Sequence, residues 1–212
     1  MSSSTSSIAP SLKATLIVAH DSSRGIGLNG KLPWKLSKEM KYFAQATTSV
    51  PSSSSKAQNA VIMGRTTWDG IPKKFRPLKD RINVVLSNTK TRQELALPDN
   101  VLHATSLQEA MQSLSGIHSE GKLHHIFIIG GAQLYKNAIT DHPEISNRIL
   151  LTRITKGDDK WECDTFFPEL SQDQWRQCSI QEHRELLPGV EVPEEEVHEG
   201  DVSWKYELWE RK

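Results

Sequence analysis

Cysteine is scarce: two in 212 residues, Cys163 and Cys178. They form neither a Cys-x-x-Cys pair nor a metal-ligand spacing, so a metal-stapled or redox-motif protein is set aside. They read as small thiols in a reducing compartment. Long apolar runs are also missing, and no stretch approaches the ~18 residues of a spanning helix. There is no charge excess, with 26 basic and 26 acidic residues, so bulk electrostatics does not drive binding to nucleic acid or membrane. The opening "MSSSTSSIAP" lacks both the apolar core of a signal peptide and the arginines of a presequence. It reads as a disordered serine-rich lead-in over residues 1–10, ahead of one cytoplasmic domain over 11–212. The eight histidines include no His-x-x-x-His helix pair, so they read as surface or sheet residues and no metal is expected.

The chain has hydrophobic residues at 36% and charged residues at 25%, enough for an ordinary soluble core. Apolar, β-branched runs at 12–19, 59–64, 81–87, 100–105, "HHIFII" and 148–154 predict buried strands. Helical patterns fall between them: 36–48, "RTTWDGI", "SLQEAMQSLSGI" with Ser106 as N-cap, and "AQLYKNAI". Strands alternating with helices predict an α/β fold: one domain with a mostly parallel central sheet of eight strands and about four flanking helices. "QWRQCSIQEHRE" and "SWKYELWERK" alternate, predicting a closing antiparallel hairpin at the sheet edge. The acidic "LPGVEVPEEEVHEGD" between them reads as a solvated hairpin insertion.

On the helix after Trp34, at about 100° per residue, Leu36, Met40, Phe43 and Thr47 form the expected buried stripe. Lys38, Lys41 and Gln45 lie opposite. Glu39 sits beside the stripe, away from the lysines. A half-exposed first-turn glutamate is the plain explanation. Facing a pocket mouth, however, an unpaired carboxylate is costly and needs a partner. A ligand with paired N–H donors would suit it.

Two further stretches narrow that ligand. "FIIGGAQLY" and "VIMGRTTW" both run strand, glycine, helix start. Each alone is a tight turn; together on one sheet they suggest an extended ligand with several phosphates, such as a dinucleotide.

In order and spacing, "GIGLNGKLPW", "E-x-x-YF", "VIMGRTTW", "IPKKFRPLKDR", "INVVLS", "IIGG-x-x-LY" and "LLTRI" resemble the dihydrofolate reductases, particularly the fungal ones. The resemblance runs from about Leu12 to the C-terminus. It implies NADPH as cofactor, dihydrofolate as substrate, antifolates as inhibitors and a monomer that needs no nucleic acid or membrane. It implies that Glu39 holds the pterin amino group and ring N–H, while an ordered water delivers a proton to N5. Thr152 resembles the hydroxyl that bonds this carboxylate, and Trp34 the indole that orients the water. Leu32 resembles the apolar contact of a loop closing over the nicotinamide. The substrate would meet Ile17, Val18, Phe43, Ile71, Leu78, Ile129 and Tyr135, with Arg81 clamping the glutamate-tail carboxylate. The cofactor would meet Ala19, Ile26, Gly30, Lys31, Gly64, Arg65, Thr66, Thr67, Leu86, Ser87, Asn88, Ile129, Gly130, Gly131, Ala132, Gln133 and Leu134. A cis Gly130–Gly131 peptide is also implied.

Two positions depart from many relatives, which carry cations where this chain has Thr66 and Asn88. Preference for NADPH then rests on Arg65 and Ser87, with Lys90 near. Two other readings stay open. A pyrimidine reductase of the same fold would leave Glu39, Phe43 and Arg81 without a pterin or glutamate tail. A silent nucleotide-binding module would leave a full set of pocket residues unused.

Overall fold

The computed structural model describes residues 12–54, 56–156 and 161–212; the lead-in expected at 1–10 lies outside them. In chain order the elements are β1 (Ala14–His20), β2 (Gly25–Gly27), α1 (Ser37–Thr48), β3 (Gln58–Gly64), α2 (Arg65–Gly70), β4 (Arg81–Leu86) and β5 (Val101–Ala104). There follow α3 (Leu107–Ser119), β6 (Leu123–Ile128), α4 (Ala132–Lys136), β7 (Ser146–Lys156), β8 (Thr165–Phe166), β9 (Trp175–Gln177), α5 (Ile180–Leu186), β10 (Val197–Glu199) and β11 (Val202–Arg211).

One nine-stranded sheet runs β10-β11-β7-β1-β6-β3-β4-β5, with β9 also on β11. From β7 to β5 every pairing is parallel. β11 joins β7 antiparallel, as the alternating "SWKYELWERK" implied. β1 lies at the centre because its uninterrupted apolar run can be buried on both faces. Leu16 and Val18 pack on one side with Leu114 and Tyr135; Ile17 packs on the other with Tyr42 and Trp68.

Three expectations are corrected. The buried stripe of α1 is Glu39, Tyr42, Ala46 and Thr47, not one centred on Met40, which is 46% exposed. The helix is rotated because Tyr42 stacks on Tyr206 of β11, ring centroids 4.0 Å apart, and bonds His183 of α5 at 2.8 Å. Those partners lie over 140 residues away and leave no trace in the local period. His183 is thus a buried helical residue, not a surface or sheet one.

Secondly, the alternation at 174–185 yields only the short β9. Residues 180–186 are helix α5, opened by a capping box in which Ser179 and Glu182 bond reciprocally. Thirdly, the acidic segment is not simply solvated. Val190 and Val192 are buried in the core beside Tyr42, and Glu196 bonds Thr155.

Candidate active site

The carboxyl ends of the parallel strands open on a cleft of about 1410 Å³. Pockets of roughly 300–1,000 Å³ serve one drug-sized ligand, so this one has room for two. Its wall includes every residue named above for substrate and cofactor except Lys90. Of the four named as catalytic, Glu39 and Leu32 are in the wall, whereas Trp34 and Thr152 stand behind it.

Glu39 is 6% exposed. Thr152 Oγ1 donates to its Oε1 at 3.3 Å. Burial pushes the carboxyl from its ordinary 4.5 up to about 7, a rise only partly offset by the Thr152 hydroxyl. No cation among the described residues enters that balance. The group is therefore poised between charged and neutral forms, and donors from a ligand would tip it towards the charged one. Trp34 is buried, and its Nε1 has no partner among the described residues. An indole N–H in that state suits the water-orienting role the resemblance implied.

Opposite Glu39 the two glycine turns are tied together. Gly64 N donates to Gly130 O at 2.7 Å, and Ile129 N to Ile62 O at 2.9 Å. The Gly130–Gly131 peptide is cis. A Cβ on Gly131 would sit 3.4 Å from Thr67 Oγ1, so a side chain there would fill the space between the turns. Neither α2 nor α4 has a side-chain N-cap, in contrast to α3 and α5, capped by Ser106 and Ser179. Their first backbone N–H groups stay available at the cleft, where anionic groups are favoured. Tyr135 of α4 donates to Ile17 O at 2.7 Å, joining the turn to β1.

At the far end, Arg81 is held by neutral groups: Nε donates to Lys79 O at 2.8 Å and Nη1 to Thr47 Oγ1 at 2.7 Å. Three of its five N–H donors remain for a ligand. Among the cofactor residues, Arg65 leans on Asp69 at 3.3 Å. Lys90 is outside the wall; its backbone N–H bonds Ser87 Oγ at 3.0 Å.

The loop between β1 and α1 is more structured than a plain loop. β2 pairs with β8, and Leu28–Lys31 close a tight turn with Asn29 and Gly30 at positive φ, as an Asn-Gly pair favours. Asn29 N donates to Asp164 Oδ2 at 2.8 Å. Leu32 lines the cleft, 49% exposed.

Sequence reasoning missed Met40, Gly70, Phe75 and the Thr105–Gln108 stretch, all in the wall. Met40 was assigned to the core by a periodicity that ignored distant partners. The Thr105–Gln108 stretch carries a usable signal, because "VLHATSLQEA" is a third strand-to-helix turn.

With this geometry in place, comparison with known proteins is direct. The family model for dihydrofolate reductase matches residues 13–186. A dihydrofolate reductase of Pneumocystis carinii is 42% identical, the match covering 93% of this chain and 96% of that one. That of Cryptococcus neoformans is 38% identical over 99% and 98%. The solved Schistosoma mansoni dihydrofolate reductase superposes with a TM-score of 0.75 at 32% identity, covering 95% of this chain and 99% of its own. A mostly parallel α/β sheet with a large cleft at the carboxyl ends of its strands defines a class of α/β ligand-binding folds. Within that class, the chain belongs to the dihydrofolate reductase family.

Proposed function

We propose that the chain reduces 7,8-dihydrofolate to 5,6,7,8-tetrahydrofolate with NADPH. The observation that carries this reading is Glu39, a buried carboxyl with no cation among the described residues to balance it, facing a cleft large enough for two ligands. Its ionised form would accept two hydrogen bonds from the pterin amino group and ring N–H, fixing orientation and tautomer. Thr152 steadies that carboxylate and Trp34 aims a bridging water, through which a proton reaches N5. Phe43, Ile71 and Leu78 sleeve the rings, and Arg81 takes the tail carboxylate. NADPH, when bound, supplies the hydride for pterin C6. Gly64–Thr67, Leu86–Asn88 and Gly130–Leu134 would hold it, and the loop carrying Ile26, Gly30, Lys31 and Leu32 would exclude water.

The direct test is NADPH oxidation with dihydrofolate, with and without methotrexate. Methotrexate-sensitive turnover is expected. Turnover of an aminopyrimidine but not of dihydrofolate would favour a pyrimidine reductase instead. A folded protein that binds methotrexate yet never oxidises NADPH would leave only a silent module.

The 2′-phosphate end is poor in cations: Thr66, Ser87 and Asn88 offer neutral groups. A charge-assisted hydrogen bond is worth about 1.5–3 kcal/mol. At this exposed site, Thr66→Lys should lower the NADPH KM about tenfold and leave the NADH KM nearly unchanged. An equal shift for both cofactors would show that the new lysine does not read the phosphate.

Gly70 offers a steric test of the loop. A Cβ there would lie 2.3 Å from the Gly30 carbonyl oxygen, so Gly70→Ala must displace the Leu28–Lys31 turn. Overpacking of this kind costs about 1–3 kcal/mol. NADPH binding, followed by fluorescence, should weaken about tenfold. Gly116→Ala, whose Cβ would meet nothing within 4 Å, is the control and should bind NADPH as the parent does.

A further inference from the structure

The geometry points to Glu199, in the acidic hairpin, as a positioning residue for the pterin-holding carboxylate. This inference rests on the functional reading above. Helix α1 has no cap of its own, because its N-cap residue is Leu36. The missing acceptors come from 161–162 residues away. Glu199 Oε1 accepts from Ser37 N at 2.9 Å and Ser37 Oγ at 2.6 Å, and Oε2 accepts from Lys38 N at 2.9 Å. Lys38 Nζ returns a bond to His198 O at 2.7 Å. Glu39 is the next residue.

The hairpin is a stiff support. Glu199 pairs with Val202 and Val197 with Trp204. Trp204 is fully buried in one cluster with Trp34 and Leu36. The neighbouring strands grip the same helix twice more: Thr152 of β7 bonds Glu39, and Tyr206 of β11, in register with Thr152, stacks on Tyr42. The first two turns of α1 are thereby seated on β10, β11 and β7 at three successive points. The Thr152–Glu39 bond is the longest polar contact of the set, so it is the one most sensitive to a small slide of the helix. Releasing Glu199 frees the N-terminal point and lets Glu39 drift from Thr152 and from the ligand. The cofactor turns stand on β3 and β6 and do not share this support.

The test is a double-mutant cycle on the full chain, using methotrexate as probe. Glu199→Ala should weaken methotrexate binding and raise the dihydrofolate KM about tenfold each, with NADPH affinity within twofold of the parent. Glu199→Gln keeps one acceptor at the same reach and should recover part of the loss. Combined with Glu39→Gln, Glu199→Ala should change methotrexate affinity less than twofold, since the group it positions is gone. If Glu199→Ala does not fold, Ser37→Ala removes one of the same bonds and should shift the same quantities by less. The inference is overturned if pterin and cofactor affinities fall together, if the Glu199 effect persists in the Glu39→Gln background, or if only melting temperature moves. Failure of the functional reading would look different. The parent would not turn over dihydrofolate, while the methotrexate cycle would still report on Glu199.

Discussion

Glu39→Gln should make the ligand-free protein more stable above pH 7 while removing most of its activity. The free carboxyl has an ordinary value of 4.5 and sits at about 7 when folded. Below pH 4.5 it is neutral in both states and costs nothing. Between 4.5 and 7 the unfolded chain ionises but the folded one holds its proton, so stability falls as pH rises. Above 7 the penalty levels off at about 3 kcal/mol. Glutamine removes that term and retains an acceptor for Thr152, but buries an amide that needs partners of its own. A net gain of about 2 kcal/mol, or about 4–8 °C in Tm, is expected at pH 8. The gap should close near pH 4.5. Against this, losing two charge-assisted bonds to the substrate should cut kcat/KM by about 10²-fold or more. Thermal melts of both proteins at pH 4.5, 6 and 8 provide the check. A variant less stable than the parent at every pH would refute the account of a desolvated, uncompensated carboxyl.

Arg81→Leu should act on binding rather than on chemistry. Burial lowers the Arg81 pKa, a fall partly offset by the neighbouring Asp80 charge, and its hydrogen-bond partners, Lys79 O and Thr47 Oγ1, are both uncharged. Its positive charge is therefore available to a carboxylate, which a planar fork meets with two parallel bonds. Losing them should raise the dihydrofolate KM about 10²-fold, with kcat within a few-fold because the pterin end is untouched. Arg81→Lys, which keeps charge but not the fork, should fall between. A pterin lacking the glutamate tail separates the contributions. Its KM should be the same for parent and variant, and an equal rise for both substrates would place the effect in the cleft wall, through Thr47.

The parallel half of the fold was readable because β1, β3, β4 and β6 are buried on both faces and so are nearly continuous apolar runs. Glu39 was readable as an anomaly, an acid beside an apolar stripe. What local patterns missed was decided from far along the chain. The rotation of α1 is set by Tyr206 and His183, and its cap is Glu199. Residues 180–186 show another limit. Their alternation fits a strand, yet Ser179 and Glu182 at capping-box spacing were the better guide, because two N-terminal donors are satisfied there at once. Trp34 and Thr152 reach the site only from behind its wall, a depth that spacing along the chain does not encode.

The central place of β1 has a consequence for how the protein is made. Its residues leave the ribosome before both of its neighbours, which are Ile126–Ile128 on one side and Ser146–Arg153 on the other. More than 100 residues must be translated before either edge of this very apolar strand can be paired. Contacts of such long range form slowly, and an unpaired strand is open to association in the meantime. Synthesis rate and chaperone supply should therefore govern soluble yield of this protein more strongly than they would for a chain whose central strand is translated between its neighbours.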